Sequence, residues 1–194
     1  MFFVKELIVF RLTLLYDWQY NLSIEKLPGD YIAGFVDGEG CFALKFRRDV
    51  RHERGKRSGI KPVYFYWDIE FVIMLRGDDK EILEKIKNTL SCGNLSKNKR
   101  GMVRYAVTNI NDLSDKIVPF FEKYKLHAKK RFNFELWKEA VEIFGRNQRM
   151  ILNRKRGERG FHKTNWKPED LNRLKIIHDE MRRYKSGGRD WKWL

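Results

Sequence analysis

The chain predicts an α+β fold in the order helix, two strands, helix, two strands, helix. Two observations carry that prediction. Apolar residues recur at helical spacing in several separated segments, and between those segments lie two stretches whose apolar residues alternate with period two. A third observation bounds the size: 194 residues, 42% of them hydrophobic and 14% aromatic, are enough for one sizeable core and few for two. The expected organisation is an N-terminal extension over residues 1–27 packed on the core, a core over residues 28–145, and a basic loop with a C-terminal helix over residues 146–194 in the same domain.

Leu27-Pro28-Gly29-Asp30 reads as a helix start, since proline suits the first helical position and an aspartate the first turn. Tyr31, Phe35 and Val36 supply apolar contacts, and Gly40 suits a left-handed helix end. Phe42, Leu44 and Phe46 alternate with Ala43, Lys45 and Arg47 as a half-buried strand, followed by a charged loop from Arg48 to Lys61. From Val63 to Leu75 every odd position is apolar, and Tyr64, Tyr66, Asp68 and Glu70 fall on the other face. Gly77-Asp78-Asp79 opens a helix carrying Ile82, Leu83, Ile86 and Leu90. A second hairpin turns around Lys97-Asn98-Lys99-Arg100-Gly101, and helix resumes over Asn111 to Tyr124 and Arg131 to Phe144. Pro168-Glu169-Asp170 starts a last helix whose stripe of Leu171, Leu174, Ile177, Met181 and Tyr184 is expected to dock on the core.

The first helix carries the chemistry. Gly34 and Gly38 lie four residues apart with Ala33 beside them, so a second helix could approach this face closely. Glu39 falls at the last turn, where unpaired carbonyl oxygens make a carboxylate unfavourable unless a cation joins it. A divalent metal such as magnesium, which takes hard oxygen ligands and few protein carboxylates, resolves that conflict; a solvated surface glutamate is the bland alternative.

Composition indicates the partner. Forty-one Lys plus Arg against 26 Asp plus Glu give a formal net charge of +15, which suits a polyanion such as DNA or RNA. Residues 145–194 hold 15 Lys plus Arg and 6 Asp plus Glu, with Arg154, Lys155 and Arg156 in the densest part, expected to order on a phosphate backbone or to serve as a solvated linker. Residues 1–22 are rich in Phe, Leu, Ile and Val, yet Lys5, Glu6, Arg11 and Asp17 interrupt them, which supports neither a spanning helix nor a signal peptide. No membrane partner is expected. Cys41 and Cys92 are the only cysteines and form no Cys-x-x-Cys, which fits an intracellular, reducing compartment, either a prokaryotic cytoplasm or an organelle matrix. The four histidines show no zinc-binding spacing.

Ile32-Ala33-Gly34-Phe35-Val36-Asp37-Gly38-Glu39-Gly40, continued by Cys41-Phe42, resembles the signature of the LAGLIDADG homing endonucleases at all nine positions. The resemblance implies a LAGLIDADG-type αββαββα domain whose curved antiparallel four-stranded saddle lies along the DNA major groove, with extra C-terminal helices in this chain. It implies double-stranded DNA as partner and a metal-dependent phosphodiester cleavage, with Mg2+ as cofactor, Mn2+ able to substitute, and Ca2+ binding without supporting cleavage. Carried onto this sequence, Glu39 and the Gly38 carbonyl become metal ligands, and Glu39 with Lys129 and Lys130 the catalytic groups. Ala33, Gly34, Asp37 and Gly38 become the dimer interface, with Asp37 mainly structural. DNA contacts are expected from Lys45, Arg47, Tyr64, Tyr66, Asp68, Glu70, Arg76, Lys97, Asn98, Lys99, Arg100, Arg104, Arg154, Lys155 and Arg156. Leu75 departs from the pattern where a polar residue that holds water would stand, which leaves Arg76 or bulk-connected water for that task. No second such motif occurs in the chain, so a C2 homodimer and a near-palindromic target follow. Three functions remain open: a site-specific, intron-encoded DNA endonuclease, a maturase that binds intron RNA, and a catalytically silent DNA-binding regulator.

Overall fold

The computed structural model describes residues 26–50, 63–152 and 166–184. Its elements are α1 (Gly29–Glu39), β1 (Gly40–Val50), β2 (Val63–Arg76), α2 (Lys80–Leu90) after a 3-10 turn at Gly77–Asp79, β3 (Asn94–Lys97), β4 (Met102–Val107), α3 over residues 110–123, α4 (Lys130–Leu152) and α5 (Pro168–Arg182). This is the expected α+β order. The four strands form one sheet in the order β1-β2-β4-β3, antiparallel throughout.

Register gives the sheet two chemically different faces. Phe42 pairs with Phe71 and Ile73 with Tyr105, so Phe42, Leu44, Ile69, Phe71, Ile73, Val103, Tyr105 and Val107 all point to the helices. The alternate positions turn the other way because successive strand side chains oppose each other. Phe42 is the hub of the helical side: its ring lies 5.3 Å from those of Phe71, Phe121 and Phe134 and 5.1 Å from that of Trp137. Strand β1 and helices α3 and α4 therefore meet at one side chain. Phe42→Ala would open a cavity there and cost about 3–5 kcal/mol.

Helix α1 is anchored by Ile32, Ala33 and Val36, all buried against this core. Pro28 occupies the cap and not the first helical position, and its carbonyl accepts from Ile32 N at 3.2 Å. Gly40 corrects the expectation of a left-handed end: its φ of −74° and ψ of 160° are extended, and the chain passes straight from helix to strand. Glycine is required there for space. A Cβ would stand 2.5 Å from Val36 Cγ1 and 2.9 Å from the Val36 carbonyl oxygen.

Helix α3 is composite: an opening turn at Ile110–Asp112 capped by the Asn109 side chain, a π segment at Leu113–Ile117, and Val118–Lys123. Pro119 has no N–H to donate backwards and its ring crowds the preceding turn, which the wider π turn accommodates. Helix α4 is longer than its apolar stripe predicts, and β1 runs into what reads as loop up to Val50.

The C-terminal helix docks as expected through Leu174, Ile177 and Met181, but Leu171 and Tyr184 remain exposed, so the stripe is narrower than predicted. Arg173 makes two 2.6 Å bonds to Glu139, and Asp170 accepts from Arg146 and Asn147 at 3.0 Å each, tying α5 to α4. The expected packing of residues 1–25 and the contacts assigned to Arg154, Lys155 and Arg156 lie outside the described residues.

Candidate active site

The C-terminal end of α1 and the start of α4 meet at the edge of the sheet. Glu39, the last residue of α1, is exposed. Lys130, the first residue of α4, folds its ammonium over that end and donates to the carbonyl oxygens of Val36 at 2.8 Å and Gly38 at 3.1 Å. A cation at a helix C-terminus satisfies orphan carbonyls and the negative end of the dipole together. Partial burial lowers the pKa of Lys130, while the nearby Cys41, Asp37 and Glu39 pull it back up. The structure thus separates the two lysines named from the sequence: Lys130 reaches the helix end, and Lys129 is exposed, contributing its carbonyl to the turn that opens α4.

Asp37 is held by its own chain. Its Oδ2 accepts from the backbone amides of His127 at 2.7 Å and Ala128 at 3.1 Å, which fastens the loop before α4 to α1 and so places Lys130. Oδ1 is buried with no partner among the described residues. Sequence reasoning made Asp37 mainly structural without finding these amides, which lie some 90 residues away and carry no motif.

The glycine face is open. A Cβ built on Gly34 or on Gly38 meets nothing within 4 Å, and Tyr31, stacked on Phe35, flanks the same face. Ala33 does not belong to it. Only 2% exposed, it points into the core, because at helical spacing it shares the side of Ile32 and Val36. The assignment of Ala33 to an interface is therefore corrected.

For a divalent cation the exposed local oxygens are Glu39 and the Gly38 carbonyl, both hard donors; Asp37 Oδ2 is taken by amides and its Oδ1 is buried. No group of three or more His, Cys, Asp or Glu converges to hold a metal among the described residues. The donor set offers a single carboxylate, and with Lys130 donating to the Gly38 carbonyl the group free to take a cation is Glu39.

The sheet face away from the helices carries most of the expected readers. Lys45 and Arg104 both pair with Glu70, Arg104 at 2.5 Å, and Arg47 pairs with Asp68 at 2.8 Å. Glu70 is 3% exposed with both oxygens engaged, so it is an anchor for two cations and not itself a base reader. Burial raises its pKa, but the hydrogen bonds and charges of Lys45 and Arg104 outweigh that and hold it below the usual carboxylate value. Tyr66 is exposed on the sheet. At the hairpin tip Asn98 spends its side-chain oxygen on the amides of Arg100 (2.9 Å) and Met102 (3.0 Å), and Gly101 turns the chain at φ +79°. Asn98 thus forms the turn with its oxygen while the residue stays exposed at the tip. Lys97, Lys99 and Arg100 beside it are exposed. Leu75 faces the core, and Arg76 extends into solvent 3.5 Å from Asp78 Oδ1.

A helix that ends in an exposed carboxylate, presents two bare glycines, and leads into a four-stranded antiparallel sheet defines a LAGLIDADG-type domain. The chain belongs to the LAGLIDADG endonuclease family, whose model matches residues 32–141, more than half of its length. It is 30% identical over 130 residues to a Neurospora crassa protein named "Probable intron-encoded endonuclease 2", covering 65% of this chain and 26% of that one. It is 28% identical to the homing endonuclease I-ApeII of Aeropyrum pernix over 57% of this chain and 60% of that one. The chain thus spans about a quarter of the length of the Neurospora relative. Its fold is similar to that of I-TnaI, a homing endonuclease, at TM-score 0.59 and 24% identity, covering 82% of this chain and 97% of that one. It is also similar to I-SmaMI bound to an uncleaved DNA target in the presence of calcium ions, at TM-score 0.59 and 25% identity, covering 80% and 45%.

Proposed function

We propose that two copies of this chain form a metal-dependent, intron-encoded DNA endonuclease of the homing type that cuts a long, near-palindromic site. The observation that carries the proposal is the placement of an open glycine face and an exposed carboxylate on one eleven-residue helix. One chain offers one Glu39, and cutting two strands requires two. A C2 partner docked on Gly34 and Gly38 brings its own Glu39 to the same axis.

Glu39, with the Gly38 carbonyl, would hold a magnesium ion, which when bound supplies Lewis acidity at a phosphodiester and a more acidic water. Lys130 keeps a positive charge at the helix end and lessens the repulsion between two facing carboxylates and the DNA phosphates. The paired charges of the sheet and the exposed hairpin tip lie along the groove, and the net charge of +15 favours the polyanion. Among the described residues no helix is long and apolar enough to cross a membrane.

A supercoiled plasmid library incubated with protein and magnesium tests this reading. Linear product from a subset of members, absent when the metal is chelated, is the expected result. Binding of duplex DNA with no cutting at any site would favour a silent regulator, and tight binding of folded intron RNA in place of DNA would favour a maturase; either replaces the proposal.

A further inference from the structure

We infer that Glu70 is a specificity-positioning residue, which holds the Lys45 ammonium and the Arg104 guanidinium side by side on the sheet so that their remaining N–H groups read guanine edges in the major groove. The inference rests on the DNA-cleaving reading above and assigns part of its sequence discrimination to one buried carboxylate.

Register shows why the arrangement is built and not incidental. Glu70 lies opposite Ala43, so Lys45 reaches it diagonally from β1. Arg104 pairs with Met74, four residues along β2, and its side chain must run back along the sheet past Val72 and Ala106 to meet Glu70. Ala43, Val72 and Ala106 are buried, yet none of them belongs to the main core cluster on the helical side. The small residues and the long cationic stems thus make a second, shallow packing layer on the sheet's outer face. Glu70 is sealed within it at 3% exposure, while the Lys45 and Arg104 side chains keep 42% and 31% of theirs.

The three groups sum to +1, so the cluster repels neither DNA nor itself strongly. Each cation spends one donor on Glu70 and has others left: an ammonium has three and a guanidinium five. Guanine presents O6 and N7 as adjacent acceptors in the major groove, and cationic donors fixed in advance lose less conformational freedom on reaching them. Arg47 and Asp68 form a looser pair beside the cluster, with Asp68 at 28% exposure, and have no such seal.

A merely structural ion-pair staple between β1, β2 and β4 would predict lost stability with base preference intact. The test is therefore base preference. Sites cut by wild-type protein from a randomised plasmid library define the target, and binding is then measured in calcium against targets with each base pair changed in turn. Glu70→Gln should reduce discrimination at one or two positions per half-site by about 5- to 100-fold, as expected for a lost bidentate contact, while binding to unrelated duplex stays equal or rises. Arg104→Gln, which leaves Lys45 to neutralise Glu70, should flatten a subset of the same positions, and it serves if Glu70→Gln does not fold. Base preferences unchanged in the folded variants overturn the inference alone; wild-type protein that prefers no site overturns the nuclease reading and this inference with it.

Discussion

The ammonium of Lys130 lies 2.8 Å from the carbonyl oxygen of Val36, so the first residue of one helix closes the last turn of another 94 residues earlier. That bond fixes the geometry at Glu39, whose helix end would otherwise be frayed or hydrated. It also gives Lys130 a titration of its own.

Because burial depresses the Lys130 pKa, the folded protein releases this proton at lower pH than the unfolded chain does. The sign follows from proton counting: in the window between the lowered folded pKa and the ordinary lysine value the unfolded state binds more protons, so stability from this group rises with pH there. Below that window the charged form carries its full burial penalty. Lys130→Met should remove this rise, so that in urea titrations across that window the variant's stability falls more steeply with pH than the wild type's. If cleavage needs the ammonium, its alkaline loss should begin below the normal lysine range and move upward in Lys130→Arg; an identical profile in both proteins would remove Lys130 from the chemistry.

Glu39→Gln keeps the size of the side chain and removes its charge. Cleavage of both strands in magnesium should fall by about a thousandfold, since a lost metal anchor is worth several kcal/mol in the transition state. Binding in calcium-free, magnesium-free buffer should survive, and so should the dimer. A variant that linearises the target at a comparable rate would show that Glu39 is not the ligand.

Gly34→Leu and Gly38→Leu separate assembly from folding unusually cleanly. Each new side chain enters open space in the single chain, and replacing a helical glycine should stabilise the isolated chain by up to about 1 kcal/mol. Sedimentation should nevertheless show fewer dimers, and cleavage should fall with them. Dimers and activity at wild-type levels would place the interface elsewhere.

Lys97, Lys99 and Arg100 make no ion pair among the described residues, in contrast to Lys45, Arg47 and Arg104. Neutralising all three should lower the salt dependence of DNA binding by up to about 2.7 log units per log salt per subunit, at roughly 0.9 per phosphate contact. The loss should be equal across sequences. An unchanged slope in filter-binding titrations would return the hairpin tip to solvent.

The fold was legible because its signals are local. Alternation through β2 and helical spacing in α2 and α4 each report a face, and faces stack in few ways. Gly40 was misread because its need is steric: Val36 crowds it, and a crowded glycine looks like a left-handed one in sequence. Ala33 was misassigned since small residues suit a tight interface and a tight core equally well. The bonds from His127 and Ala128 to Asp37 were invisible, as backbone amides have no side-chain signature. Glu70 was named for its polarity, but its role depends on register with two other strands, which periodicity does not supply.

Helix α1 has eleven residues and almost none to spare. Ile32, Ala33 and Val36 are committed inward, Gly34 and Gly38 form the bare face on which the proposed partner helix would pack, Asp37 fastens a distant loop, and Glu39 is exposed at the helix end. A saturating substitution scan across the chain should therefore show an unbroken intolerant block here, with relief only at Asp30 and partially at Tyr31. If two copies of the chain cut DNA as proposed, such crowding leaves adaptation to new target sites to the sheet, whose outer side chains can be exchanged without touching the glycine face or Glu39.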